Sequence, residues 1–418
     1  MNFQIREHLD EFNVLPETQS GFRPGYSCTT ALLTVTDDII TAIDRGKSSL
    51  LLLLDYSKAF DTLNHDLLIS ILHFVGFSKD AVKLMTSYLL GRMQYVSTDK
   101  GDSSRQTVSC GVPQGSTLGP LLFSIYTCYL PQCLKNCRVH LYADDTQLYF
   151  SFFPENKDNA LTLINSDINN LLSYSNSHNL KINSKKSSIL LFGKDKDNIQ
   201  ASIDIMVGND KLQCVSSARN LGLIIDNNFR FNSHISKCVQ KAYANLKMLY
   251  PHRHLLSQLL KIRLTDALVL SNFNYCDVIY NPCLEINTSD RIQKVQKSCL
   301  RFIYGIRKYD KVSHKLKDAN WLNMKSRRIL HSVVLFHNII SYRRPPYLAK
   351  KITFRTDVHN LNLRFRGKIS PPPHRTSMFR RSYSYNIYYL YNQLPDYLKM
   401  LEPKTFKYSF KKYLINTQ

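Results

Sequence analysis

Two adjacent aspartates interrupt an alternating pattern in this 418-residue chain. Arg138-Val139-His140-Leu141 leads into Tyr142-Ala143-Asp144-Asp145, and Thr146-Gln147-Leu148-Tyr149-Phe150 follows. Alternation on both sides predicts two half-buried strands with a tight turn between them. A turn exposes both carboxylates, and like charges held side by side repel unless a cation lies between them. Hard oxygen ligands of this kind suit Mg²⁺. Upstream, the five leucines Leu50 to Leu54 end at Asp55, which reads as a buried strand delivering one more acid at its C-terminal end. Asp55 and Asp144 are 89 residues apart, so only a sheet that sets the two strands side by side can join them. The chemistry that needs this is phosphoryl transfer by two metal ions about 3.5 to 4 Å apart. A nucleotide polymerase fits. Asp is common in hairpin turns, so the pair alone also admits an ordinary polar turn; the surrounding motifs decide.

Those motifs are Asp55-Tyr56-Ser57-Lys58-Ala59-Phe60-Asp61, then Gly111-Val112-Pro113-Gln114-Gly115-Ser116-Thr117-Leu118-Gly119-Pro120-Leu121-Leu122-Phe123, then Tyr142-Ala143-Asp144-Asp145. In that order they resemble motifs A, B and C of reverse transcriptases, in the version carried by non-LTR (LINE-type) retrotransposons. Gln19-Ser20-Gly21-Phe22-Arg23-Pro24-Gly25 resembles the segment before motif A. Asn179 to Asn183 with Lys185-Lys186-Ser187 resembles motif D, and Asn220 to Asp226 motif E. Arg291 to Lys297 and Tyr391-Asn392-Gln393-Leu394-Pro395 resemble the region that follows the polymerase in arthropod-type elements, with Tyr391 where the family usually has Trp.

The resemblance implies specific roles. Asp55 and Asp144 would be direct ligands of two Mg²⁺ ions, for which Mn²⁺ can substitute, with the backbone carbonyl of Tyr56 assisting. Asp145 would support the second metal or the primer end. Phe60 would lie under the incoming sugar and reject a 2′-hydroxyl by steric clash; without the motif it would read as a core phenylalanine. Gln114 and Gly115 would approach the nucleotide, the motif B glycines allowing close backbone contact and a helix starting near Thr117 directing free N–H groups toward phosphate. Lys186 would protonate the departing pyrophosphate, although Lys181, Lys185 and Lys186 also read as a solvated cluster.

Net charge of +23 is unevenly distributed. Residues 230–418 carry 35 Lys and Arg against 9 Asp and Glu, and the rest of the chain 20 against 23. A basic half suits a template–primer duplex, whose phosphates release counterions to Lys and Arg. Aromatic residues interleave with that charge in Phe379-Arg380-Arg381-Ser382-Tyr383-Ser384-Tyr385, where rings are expected to stack on unpaired bases. Arg23, Arg380 and Arg381 are the nucleic-acid contacts expected from this reading, and RNA template, DNA primer and dNTPs the partners. The ten cysteines lack zinc-knuckle spacing, so free thiols and no zinc are expected. Acids after residue 230 are scattered, which argues against an appended ribonuclease H. No apolar run is long enough to span a bilayer and the start is too polar for a signal peptide, so an intracellular protein, cytoplasmic or nuclear, is expected.

Periodicity predicts helices over 29–45, 66–75 and 78–90, two strands near 92–110, a helix through Leu161, Ile164, Ile168 and Leu171, strands near 187–192 and 221–225, and a helix from Ile235 to Leu249. The expected fold is α+β: a polymerase palm with an antiparallel sheet covered by helices, partial fingers, a helical thumb and a basic C-terminal module, looser after Pro345-Pro346 and Pro371-Pro372-Pro373. The corresponding boundaries are 1–48 for a residual fingers segment, 49–228 for the palm, 229–310 for the thumb and 311–418 for the basic region. The family carries a larger fingers region ahead of Gly21-Phe22-Arg23 and often an endonuclease. Too few residues precede Phe22 for either, so an N-terminally truncated portion of a longer reading frame is expected. Two functions follow: an RNA-directed DNA polymerase, or an inactive remnant that still binds nucleic acid.

Overall fold

The computed structural model describes residues 1–355 and 368–417. The chain forms two compact units, one of residues 1–27 and 47–215, the other of residues 28–46 and 216–418.

The first unit is built on a five-stranded sheet of β1 (Ser48–Leu54), β2 (Arg138–Tyr142), β3 (Asp145–Phe152), β4 (Ser188–Phe192) and β5 (Gln213–Val215), in the order β5-β4-β1-β3-β2. All pairs are antiparallel except β4 with β5. The leucine run is the middle strand, paired to β3 on one side and β4 on the other, and Leu50, Leu51, Leu52 and Leu54 are buried. Leu50, Leu52 and Leu54 point with Leu148, Ile189 and Leu191 into one core. Helices cover that face: α3 (His65–Phe74) with Leu68 and Leu72, α5 (Gly119–Tyr126) with Leu121, Leu122 and Ile125, and α6 (Lys157–Ser177) with Ile164, Ile168 and Leu171. α1 (Asn2–Glu11) and α4 (Lys79–Leu89) complete the helical set used below. Ser78 caps α4, its side chain accepting from Ala81 N. Between 92 and 110 the two expected strands become two short exposed ribbons, 93–94 with 106–107 and 97–98 with 101–102.

The second unit is nearly all helical. α2 (Cys28–Asp44) belongs to it, together with the hairpin of β6 (Ser217–Asn220) and β7 (Leu223–Asp226), α7 (Asn232–Leu249), α8 (Ile286–Tyr304), α9 (Met324–Tyr342), α10 (Tyr383–Asn392) and α11 (Pro403–Thr417). The described residues of its C-terminal part pack closely on one another, and residues 356–367 lie outside the described residues. The His337 ring on α9 stacks on Phe406 of α11 at 3.8 Å, and its two nitrogens bond the Tyr391 hydroxyl and the Leu401 carbonyl. Phe379 and Tyr383 are buried, and the Tyr383 hydroxyl donates to Ser332 O, so neither ring is free to stack on a base. The local pattern of rings and arginines reads as a binding strip because sequence does not distinguish an exposed ring from one filling a helix interface.

Candidate active site

Register brings the three acids together. Leu54 pairs with Thr146 and Tyr142 with Asp145, so β1 and the β2–β3 hairpin end at the same edge of the sheet. Asp55 follows β1 directly, and Ala143-Asp144 form the two-residue turn. Burial first, then the charge of Asp55, raises the Asp144 pKa above the usual carboxylate value. Asp145 is exposed at its surface yet desolvated by its neighbours; that, with the charges of Asp144 and then Asp55, pushes it up to about 6. Mutual repulsion of this kind is relieved by a cation. Asp55 Oδ2 is buried with no hydrogen-bond partner, and Lys186 Nζ lies 3.8 Å away.

The donor set fits a hard divalent ion: oxygen ligands, an unbonded buried carboxylate oxygen and two carboxyls held above their ordinary pKa. Among the described residues no three acidic, imidazole or thiol side chains form a closed cage. Mg²⁺ is usually held by one or two carboxylates completed by substrate phosphates and water, so a half-built site is the form expected for it.

Motif D reaches the site through backbone pairing that continues β1 and β4. Ser57 N donates to Lys181 O, Asn183 N to Asp55 O, and the Ser187 hydroxyl lies 3.2 Å from Asp55 N. That pairing carries Lys186 to Asp55. Tyr56 is buried, its hydroxyl against Ser175 Oγ at 3.3 Å, and burial pushes its pKa up to about 12.

Motif B is fastened to the turn after motif A. Gly111 N donates to Leu63 O, Val112 N to Phe60 O, and Gln114 Nε2 to Asp61 Oδ1 at 2.8 Å. Gly111 has φ +81, and a Cβ there would meet the Asp61 backbone at 2.7 to 2.8 Å, so glycine is required twice over. Gly115 has φ +77 with open space around it. The helix begins at Gly119, with Pro120 in its first turn. Phe60 is half-buried, stacked on the buried Phe123 at 4.4 Å, with Phe22 edge-on at 6.3 Å.

Each of the three arginines has its own local contacts. Arg23 Nη1 donates to Pro16 O and its guanidinium lies over Tyr26, tying its own loop. Arg380 and Arg381 are exposed on the second unit, with Arg380 Nε donating to His374 Nε2. All ten cysteines are free thiols. Among the described residues no helix is long and apolar enough to cross a membrane.

Two side chains to which the sequence reading gave no role hold the site. Asp167 on α6 is fully buried and accepts from the N–H groups of Lys135, Asn136 and Cys137 and from Asn136 Nδ2, fixing the entry to β2. Gln19 reaches the turn itself, its Oε1 accepting from Gly21 N and Ala143 N. The reach of Asp167 over 30 to 32 residues, and of Gln19 over 124 residues to Ala143, leaves no local sequence signal.

Residues 1–225 match the family described as reverse transcriptase (RNA-dependent DNA polymerase). The chain belongs to that family. The relatives it matches include RNA-directed DNA polymerases of non-LTR retrotransposons. It is 28% identical over 255 residues to the probable RNA-directed DNA polymerase from transposon BS of Drosophila melanogaster, covering 59% of this chain and 28% of that protein. The probable RNA-directed DNA polymerase from transposon X-element of the same organism is 27% identical over 315 residues, covering 71% of this chain and 33% of the relative. The chain thus spans about a third or less of these relatives' length. A solved telomerase from Candida tropicalis is 13% identical with a TM-score of 0.39, over 99% of this chain and 56% of that one.

Proposed function

We propose that this reverse transcriptase chain extends a DNA primer on an RNA template, adding deoxynucleotides by two-metal nucleotidyl transfer. The observation that carries the reading is the meeting of Asp55, Asp144 and Asp145 at one sheet edge, with Asp55 Oδ2 buried and unbonded. Asp55 and Asp144, assisted by the Tyr56 carbonyl and by Asp145, would hold two Mg²⁺ ions. When bound, such ions lower the pKa of the attacking hydroxyl and neutralise charge developing on the phosphate.

The chain's own groups do the rest. Phe60, braced by Phe123, presents a flat ring that excludes a 2′-hydroxyl. Gln114, oriented by Asp61, and Gly115, with open space at its Cα, form the approach for the nucleotide. Lys186 carries a proton within reach of Asp55 and of a pyrophosphate beside it. Segments 49–228 and 229–310 act as palm and thumb, with 1–48 as the fingers remnant, and the basic residues of 311–418, Arg380 and Arg381 among them, bind phosphate. Arg23 supports the template side through its loop. No zinc is part of this reading, and the place of action is the cytoplasm or nucleus.

Primer extension on an RNA template is the test. Extension should require Mg²⁺ or Mn²⁺ and fall by at least about 10²-fold in Asp55→Asn or Asp144→Asn, because each removes a metal ligand. Equal extension by the double variant would sink the assignment. Tight duplex binding with no extension by the parent would favour the second reading, a remnant that retains nucleic-acid binding.

A further inference from the structure

We infer that Gln19 is a positioning residue for the catalytic hairpin, holding the peptide from which Asp144 projects. The inference rests on the two-metal reading above. Residues 18–21 lie along the free edge of β2: Leu141 N donates to Thr18 O at 2.9 Å, Ser20 N donates to Leu141 O at 2.8 Å, and Gln19 forms a parallel bridge with Leu141. The Ser20 hydroxyl meets His140 Nε2 at 2.8 Å. This short added strand carries Gln19, 1% exposed, to the turn.

There its amide oxygen accepts two bonds, from Gly21 N at 2.8 Å and from Ala143 N at 3.1 Å. Both partners are backbone donors, so the oxygen and not the nitrogen must face them. Ala143 has φ +56, a region that a residue with a Cβ rarely adopts, and it is buried. Without Gln19 its N–H would be buried and unbonded, and the turn would rotate to satisfy it. Asp144 is the next residue. Contact is close on the backbone side as well: a Cβ on Gly21 would meet Ala143 N at 2.4 Å. Gln19 Nε2 meanwhile is buried with no partner.

The test uses the full chain and Mn²⁺ alone, followed through the electron paramagnetic resonance of the free ion. Binding by the parent should depend on Asp144, disappearing in Asp144→Asn. Gln19→Met keeps the side-chain length and removes the oxygen; it should weaken Mn²⁺ binding about 10- to 100-fold, the usual cost of losing a group that orients a metal ligand. Gly21→Ala keeps Gln19 but displaces the turn, and should weaken binding likewise. Ser20→Ala, which loses the bond to His140 and leaves Gln19 in place, should bind as the parent does. Thermal unfolding followed by circular dichroism reports the fold of each. Parent-like binding by a folded Gln19→Met overturns the inference, as does parent-like binding by Gly21→Ala if Gln19→Met fails to fold. Absence of Asp144-dependent binding in the parent would overturn the two-metal reading and this inference with it.

Discussion

Phe60 shows how one side chain serves packing and chemistry together. Its ring is half-buried and stacked on Phe123, yet it follows Asp55 by five residues on the turn that also holds Gln114 through Asp61. Truncation therefore has two consequences. Phe60→Ala should destabilise the first unit by about 1 to 3 kcal/mol, less than the roughly 3 to 5 kcal/mol of a fully buried Phe→Ala change. It should also raise ribonucleotide over deoxynucleotide incorporation about tenfold or more, read as a ratio of kcat/KM values. A destabilised variant with an unchanged ratio would leave Phe60 as core alone. At this scale the sequence was most legible where the chemistry is contiguous. Asp55, Asp144 and Asp145 announce themselves by their neighbours, because a strand must end and a turn must follow for an acid to reach the sheet edge. The reach of Asp167 to the start of β2 and of Gln19 to Ala143 does not, because each ends on a backbone N–H far along the chain, and backbone groups look alike in every sequence.

Among the elements, α2 makes the same point about packing. Periodicity over 29–45 anticipated the helix found at Cys28–Asp44, since an amphipathic repeat depends only on local spacing. What it packs on was not legible. Three acids on it hold the C-terminal chain: Asp37 bonds the Ser384 hydroxyl, Asp38 pairs with Lys351 at 2.6 Å, and Asp44 accepts from Arg375 N, Thr376 N and the Thr376 hydroxyl. Burial works against the Asp44 charge, but the bonds from Thr376 and Arg375 prevail and hold its pKa below the usual value. A folded-state pKa lowered in this way adds stability that is fully present above the unfolded value of about 3.9 and is lost as pH falls through the folded one. Asp44→Ala should cost about 1 to 3 kcal/mol at neutral pH, the range for leaving buried donors unbonded. Its stability relative to the parent should recover as the pH drops below about 4. Chemical denaturation at pH 7 and at low pH measures both, and a pH-independent difference would mean that the Asp44 charge contributes nothing.

At the scale of the whole molecule, charge asymmetry and chain division do not coincide. The surplus of 26 positive charges lies in residues 230–418, but the unit that contains them also includes residues 28–46, ahead of the catalytic strand. A fragment of residues 230–418 would lack the three aspartates of α2 that anchor its C-terminal segments, so binding is better tested on the full chain. Along one cavity of about 410 Å³, Arg219, Lys237 and Lys241 gather beside the β6–β7 hairpin, with no acid among its lining residues. His234 sits with them, and burial, then the Arg219 charge, depresses its pKa to about 4, so it adds no charge at neutral pH. If these three cations contact the nucleic-acid backbone, each neutralises one phosphate and releases its counterion. Binding of an RNA–DNA duplex should then weaken steeply with salt, whatever the base sequence. Neutralising Lys237 and Lys241 together, as Lys→Gln, should lower the magnitude of the slope of log affinity against log salt by about 2, with little change in sequence preference. Arg380→Gln with Arg381→Gln makes the parallel test of the exposed C-terminal pair. Fluorescence anisotropy between about 50 and 200 mM salt covers the range in which such contacts dominate. A slope unchanged by both pairs would mean that the duplex is held elsewhere, and that the basic surplus of this unit keeps the protein soluble rather than bound.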